Sequence, residues 1–506
     1  MTNENPPSKD SKQPELFIGL VGAVGTELEK LISVLSRSLL SVSYQSNPIR
    51  LASLLHDLPK YTSLPTKFID EYIEKHMWAG DDFRSICQMN DAVAVLGIGK
   101  VKQERSQPRP ASAGRAFILR SLKSPDEIHS LRRIYGDSFY LIAAYSPLQD
   151  RRTHLAKRIA LSRNEFPFEH HYPKADELIL TDQEEVGASH GQNTRDSFHR
   201  ADVFVDMSDQ EQMKESIDRF VELLFGNTFH TPTKAEYAMF HAQAAALRSA
   251  ELGRQVGAAI ATGAGDIVAV GCNEVPRAMG GLYWCDDKPD KREFQEGYDA
   301  NDSQKRILIA ETISILKEAG WFGAAQSALD VDALVNLALD PKKPVLPKHS
   351  KIRNLIEFGR AVHGEMAALT DAARRGVSVQ GCTMFVTTFP CHLCARHIVA
   401  AGIRKVVYIE PYAKSLTAEL YPDSIAVDGN GTKRRVPFEP FVGVAPRQYM
   451  NLFQAGKRKN ADGTAARFNP RTAKLRYYQE PTIYLENEVK AFKNLSDRMK
   501  TNGIIP

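Results

Sequence analysis

The sequence predicts an α/β chain in two parts, a doubly wound domain followed by a three-layer α/β/α domain, and three observations carry that reading. First, the apolar run Leu16-Phe17-Ile18-Gly19-Leu20-Val21 enters the turn Gly22-Ala23-Val24-Gly25-Thr26 and then a helical pattern. A strand, a glycine-rich turn and a helix are the parts with which backbone amides cradle phosphate. Second, strand-like runs recur at Ser138–Tyr145 and Ala201–Asp206, spaced for helical crossovers between parallel strands. Third, from Ala244 onward helix-forming stretches alternate with short β-branched runs, as in a sheet with helices packed on it.

The N-terminal elements make a nucleotide-binding turn with one part missing. Gly19, Gly22, Gly25 and Thr26 are its candidate phosphate-facing residues. A P-loop ends in Gly-Lys-Ser/Thr, whereas here Gly25 is followed directly by Thr26 with no lysine. Phosphoryl transfer would lose its main charge partner. The expected role is therefore nucleotide sensing or partner binding, not kinase chemistry. Between the later strands, Arg151-Arg152-Thr153-His154-Leu155-Ala156-Lys157-Arg158 reads as a basic helix like the lid of small nucleotide kinases.

In the second half, a helix at Ala244–Ala250 precedes two strands, Arg254–Ile260 and Ile267–Gly271, joined by the turn Gly263-Ala264-Gly265-Asp266. His363 and Glu365 fall in the first turn of a helix rich in Ala and Leu that ends at Gly376. Cys382–Thr388 is a short buried strand. Pro390 then suits the first turn of a second helix, Cys391–Ala401. Cys391 and Cys394 stand at i and i+3 and share one helix face, and the helix start favours the thiolate.

His363-Gly364-Glu365 with Pro390-Cys391-His392-Leu393-Cys394 is the most specific feature of the chain. Zinc takes nitrogen and sulfur donors in a tetrahedron, and a catalytic site leaves the fourth position to water. His363, Cys391 and Cys394 supply three donors, while Glu365 is placed to shuttle protons without binding the metal. An H-x-E followed by a P-C-x-x-C is the signature of zinc-dependent nucleobase deaminases. A closed structural site would need a fourth ligand. His392 and His397 are the nearest candidates, and His392, next to Cys391, points elsewhere on a helix.

Five stretches resemble the deoxycytidylate deaminase family: Arg254–Ala258, Gly271–Pro276, His363–Glu365, Phe385–Gly402 and Glu410–Ser415. The resemblance implies that Asn273 hydrogen-bonds the deoxyribose and that Arg254 or Lys414 reaches the 5′ phosphates. Two positions depart from the family: the alanine within H-A-E is Gly364, and the asparagine two residues after the glutamate is Ala367. An insertion from Arg277 to Phe358 separates Asn273 from the zinc helix, with helical segments at Ile307–Ala319 and Val331–Leu339. Insertions of that size beside a site commonly serve as lids or partner surfaces.

Over nearly its full length the chain resembles the bacterial anti-phage dCTP deaminases, in which a P-loop kinase-like domain precedes a deaminase-like domain. The first 14 residues are polar and proline-containing and are expected to be a disordered tail. The domains expected after it are a P-loop-like doubly wound domain 15–230, a cytidine-deaminase-like α/β/α domain 231–490 with the insertion 277–358, and a C-terminal tail 491–506. The resemblance further implies Zn2+ as cofactor and deoxycytidine nucleotides (dCTP, dCMP or both) as substrates. A nucleotide ligand at the N-terminal domain, homo-oligomers, and an inhibitory protein or RNA that restrains activity in uninfected cells also follow from it.

Bulk composition excludes several classes. Sixty-five Lys and Arg against 61 Asp and Glu leave a net charge of +4, too mild to demand a nucleic-acid partner. Six cysteines in 506 residues argue against a disulfide framework, and a reducing cytoplasm is the expected compartment. No apolar run approaches 18 residues, so no membrane span is expected. Two alternatives share the zinc motif: a housekeeping dCMP deaminase of pyrimidine biosynthesis, and a polynucleotide cytosine or adenine deaminase, which usually shows a basic, aromatic-lined channel.

Overall fold

A computed structural model describes residues 13–107, 113–183, 194–347, 350–411, 415–427, 434–454 and 456–505. Of the expected tail 1–14, residues 1–12 lie outside the described residues. The chain forms two compact units, one comprising residues up to Glu236 together with Pro440 onward, the other Tyr237–Glu439.

In the first unit, strands β1 (Glu15–Gly22), β2 (Tyr44–Arg50), β3 (Gly114–Arg120), β4 (Phe139–Tyr145) and β5 (Val203–Asp206) are mutually parallel, in the order β2-β3-β1-β4-β5. A two-residue strand, Gly443–Val444, closes the β5 edge antiparallel. Every residue of the central β1 is buried, as expected for a parallel strand covered on both faces. Leu16, Ile18 and Leu20 join the core with Leu28, Leu31 and Leu35 of helix Leu28–Ser41 and with Ile217 and Phe220 of helix Gln210–Leu224. On the other face Phe17 stacks on Phe117 and Tyr135 and meets Tyr484 edge-on.

Tyr484 marks a correction to the expected domain limits. Residues from 440 onward return to the first unit, and the stretch expected as a tail from 491 is part of helix Pro481–Thr501. That helix buries Tyr484, Glu488, Leu495 and Met499. The physical reason is an aromatic face on β1 and β3 that needs cover, together with a charge that needs a partner. Arg105 gives two 2.8 Å hydrogen bonds to the Glu488 carboxylate and a 2.9 Å bond to Glu15, which also accepts from the Tyr484 hydroxyl. Glu488 is only 3% exposed, and removing one partner of a buried charge pair strands the other. Glu488→Ala is therefore expected to cost about 3–5 kcal/mol. The expected readout is a lower unfolding midpoint for the first unit and faster hydrogen exchange in residues 484–499; a wild-type midpoint would show that the helix is dispensable.

The second unit carries a mixed sheet of β6 (Gly257–Ala261), β7 (Ile267–Cys272), β8 (Thr383–Thr388), β9 (Lys405–Glu410), β10 (Ile425–Val427) and β11 (Val436–Pro440), in the order β10-β11-β9-β8-β6-β7. β6 pairs antiparallel with both β7 and β8, while β8 and β9 are parallel. The hairpin turn between β6 and β7 includes Gly265 at φ +105, a left-handed conformation that glycine adopts without a steric penalty. Ala258 and Ile260 share a core with Ala368, Ala372, Cys394 and Ile398 from helices Gly364–Arg374 and His392–Ala400. Gly257 points the other way, where an added Cβ would lie 1.9 Å from the Ala242 carbonyl of helix Lys234–Ala246. Helices thus cover both faces. The insertion folds as helices Ala300–Glu318 and Val331–Ala338 around Ile309, Val335 and Ala338.

Candidate active site

Two helix starts meet at the end of this sheet. His363 and Cys391 are N-caps with extended backbone (φ −66, ψ 154 and φ −69, ψ 164), and Glu365 sits within the first turn behind His363. Sequence reasoning placed His363 and Cys391 inside the helices, with Pro390 in the first turn of the second; the structure makes both ligands caps and starts the helices one residue later, because a cap residue keeps a non-helical backbone. His363 is held in register by Val362, which exchanges backbone hydrogen bonds of 3.0 and 3.2 Å with Glu274 just beyond β7.

The His363 Nδ1 lies 3.3 Å from the Cys391 sulfur and 3.4 Å from the Cys394 sulfur. Bond lengths of about 2.0 Å to nitrogen and 2.3 Å to sulfur at tetrahedral angles would put such donors about 3.5 Å apart. The donor set therefore fits zinc in type and spacing. Among the described residues this metal-ligating group has three members, the number that leaves a position open for catalysis. His392 is directed to Glu357, 3.6 Å away.

The electrostatics are strongly perturbed. A hydrogen bond from Cys394, followed by the bond to His363 and its charge, pushes the Cys391 thiol down to about 4. The bond to Cys391 in turn raises His363 to about 9, against the effect of burial. Burial, and after it the Cys391 thiolate, pushes the Glu365 carboxyl up to about 7. A carboxyl group 3% exposed with such a shift is suited to holding and releasing a proton near neutral pH.

His363, Glu365 and Cys391 line a cavity of about 240 Å3 together with Asn273 and Arg254. The Asn273 Oδ1 accepts from the Val256 N–H and its Nδ2 donates to the Arg254 carbonyl, both at 2.7 Å, which leaves one N–H and one lone pair of the amide for a ligand. Arg254 pairs with Glu410 at 2.7 Å and is half exposed. Lys414 lies outside the described residues. In the first unit, Gly19 and Gly22 belong to β1. An added Cβ at Gly19 would overlap Leu122 and Phe139, so packing alone calls for that glycine. Gly25 has φ +91 and abuts the Arg151 carbonyl, and Gly22, Gly25 and Thr26 line a separate crevice.

Sequence reasoning missed the acidic side of the cavity. Glu251, Glu293 and Asp299 bring carboxylate oxygens within 4.8 Å of one another, and burial with the charges of Glu293 and Asp299 pushes Glu251 up to about 7. Glu293 and Asp299 come from the insertion. The available signal was its position, because a chain leaving Asn273 and returning at His363 must pass the mouth of the site.

Residues 232–410 match the family model of the cytidine and deoxycytidylate deaminase zinc-binding region. The C-terminal part of the chain thus carries a region of the cytidine and deoxycytidylate deaminase zinc-binding type, and His363, Cys391 and Cys394 within it are the group that could hold the metal. The deoxycytidylate deaminase of Enterobacteria phage T2 is 48% identical over 54 residues, 11% of this chain and 29% of that protein. ComE operon protein 2 of Bacillus subtilis is 39% identical over 62 residues, 11% of this chain and 33% of that protein. The human deoxycytidylate deaminase is 33% identical over 67 residues, 13% and 36% of the two chains. The chain therefore spans about a third of the length of these curated relatives. A dCMP deaminase of cyanophage S-TIM5, solved with dCMP and dUMP, is 18% identical with a TM-score of 0.23, covering 42% of this chain and all of that one.

The zinc helix lies directly on β7. An added Cβ at Gly271 would come within 2.3 Å of the Ala368 amide and 2.4 Å of the Gly364 carbonyl, closer than real Cβ contacts. Gly271→Ala should lift the helix start and loosen the His363 ligand, lowering zinc affinity at least tenfold while the first unit stays folded. Competition with a chromogenic chelator reads this; wild-type zinc affinity would show that the contact does not set the ligand geometry.

Proposed function

We propose that this protein hydrolyses the 4-amino group of deoxycytidine nucleotides, dCTP, dCMP or both, to give the deoxyuridine nucleotide and ammonia. The observation that carries this is the buried Glu365 beside the three-donor group His363, Cys391 and Cys394, with Glu365, His363 and Cys391 lining one cavity. Zinc held by His363, Cys391 and Cys394 would supply the Lewis acidity that makes water a nucleophile near neutral pH. Glu365 accepts one proton of the attacking water and returns it to N3 of the base, then takes the remaining proton from the new C4 hydroxyl and hands it to the amine, so that the C4–N4 bond breaks and ammonia leaves. Asn273 orients the sugar and Arg254 the 5′ phosphate side. The net charge of +4 and the acidic trio at the cavity favour a free nucleotide over a polynucleotide.

In the cell this activity would deplete dCTP and starve phage DNA synthesis, with an inhibitory protein or RNA restraining it before infection. Support for that role is the resemblance to anti-phage deaminases. A housekeeping role would instead show preference for dCMP and pools that do not respond to infection.

The testing experiment incubates purified protein with dCTP, dCMP, CTP, deoxycytidine and a cytosine-containing oligonucleotide, followed by chromatography of the products. Deoxyuridine nucleotides from dCTP or dCMP are expected, and conversion of the oligonucleotide alone would overturn the reading. Glu365→Gln should retain one zinc yet lose about 10²–10⁴-fold in kcat, the range for general acid–base catalysis. Cys391→Ser should lose metal and activity together.

A further inference from the structure

The insertion reaches the catalytic cavity at a second place, through the stretch 351–361 by which the chain returns to His363. At one end Ile352 packs into the insertion's own core with Ile309, Val335 and Ala338. Four residues on, Ile356 packs against the other core, the one that holds Cys391, Cys394 and Ile398. Ile356 also lines the cavity of His363, Glu365 and Cys391. The stretch is thus a strap between two cores that presents an apolar side chain to the cavity. Side chains hold it in place. The Asn301 amide spans its turn: Nδ2 donates to the Leu355 carbonyl at 2.9 Å and Oδ1 accepts from the Phe358 N–H at 3.2 Å. One side chain therefore satisfies backbone groups before and after Ile356.

Asn301 stands in the first turn of helix Ala300–Glu318, and one turn further Lys305 donates to the Arg353 carbonyl at 3.3 Å. On the other side, Glu357 accepts from the Ile356 N–H at 2.7 Å and faces His392 at 3.6 Å, on the helix that carries Cys394. A base held for attack at C4 must bring that carbon to the three donors and Glu365. Side chains that line the cavity and also pack on the Cys391 core consequently flank the base, not the phosphates. Ile356 and Phe389 are large apolar side chains that meet both conditions. The faces of a pyrimidine ring are its apolar surface, and small-molecule sites seat such faces on apolar walls while a few polar groups fix orientation.

We infer, on the deaminase reading of this cavity, that Ile356 is the insertion's contact with the cytosine ring and sets the affinity for the base, and that Asn301 is the positioning residue that seats it. The wall selects for the base alone, so it serves cytosine nucleotides irrespective of how many phosphates they carry. Removing the Asn301 amide frees the strap on both sides of Ile356 and takes the wall away without touching the metal donors.

The test is steady-state kinetics of the full-length, zinc-loaded protein with dCMP and dCTP. Ile356→Ala is expected to raise KM about tenfold or more, the worth of apolar groups of that size in a pocket. Its kcat should stay within about threefold, because binding is lost equally from substrate and transition state. The rise should be equal for every cytosine nucleotide that the wild type converts, and Ile356→Val should stay within about threefold of wild type. Asn301→Ala should raise KM to a similar degree, and the double variant should be no worse than Ile356→Ala alone, as when one residue acts through another. Zinc content and far-UV circular dichroism should remain at wild-type values. An unchanged KM in Ile356→Ala, a rise that grows with the number of phosphates, or loss of zinc from both Ile356 variants overturns the contact with the base. Additive effects of the two alanine variants overturn the positioning role of Asn301. A wild-type protein that converts neither nucleotide overturns the deaminase reading itself, and the wall with it.

Discussion

How closely helix Gly364–Arg374 lies on β7 governs the catalytic group. Gly271 has no side chain where one would strike the helix backbone, and Gly364 meets the Val256 carbonyl at a distance that leaves little room for a methyl group. Ala367 and Ala368 complete the contact, both buried. Because the helix sits this low, its first turn carries Glu365 below the surface and its cap carries His363 to the two cysteines. The residues at 364 and 367, which depart from the resembling family, thus belong to the packing. Ala367, buried against the sheet, has no polar group to offer a substrate.

That packing creates an electrostatic problem whose resolution is the chemistry. Burying an ionised carboxylate costs several kcal/mol unless it is paired, and Glu365 responds by holding its proton up to about pH 7. Cys391, at the start of helix His392–Ala400, moves the other way because it gains a hydrogen bond from Cys394 and the charge of His363. Opposite shifts in neighbouring groups mark functional clusters more often than structural ones. A divalent cation between the sulfurs and the imidazole matches their charge, while the carboxyl group stays free of ligation.

Legibility followed the range of the interaction. The two zinc-helix starts were readable because helix caps, a buried strand and the ligand spacing are written within some thirty residues. The parallel strands at 139–145 and 203–206 were readable for the same reason, as unbroken apolar runs. What stayed hidden depends on contacts far apart in sequence. The final helix looks like an isolated amphipathic segment until Arg105 and the Phe17 face are known to need Glu488 and Tyr484. Glu293 and Asp299 look like solvated charges until the insertion is seen to border the cavity. The glycines near residue 22 suggested a phosphate cradle, but Gly19 and Gly25 meet packing and backbone demands that the local sequence does not reveal.

The acidic side of the cavity bears on which substrates the proposed reaction admits. Carboxylate oxygens within 4.8 Å repel by about 3.5 kcal/mol per pair at an effective dielectric of 20, and Glu251 accordingly keeps a proton up to about 7. A phosphate about 6 Å from one of these carboxylates would meet a penalty of about 3 kcal/mol on the same scale. A cytidine within a strand carries phosphate on both its 5′ and 3′ sides. A free nucleotide carries phosphate on the 5′ side alone and a hydroxyl on the 3′ side. Under the proposed reaction a carboxyl group near half-protonation would meet that hydroxyl as donor or acceptor, so the acidic side that Glu293 and Asp299 give the cavity would favour a free nucleotide over a polymer.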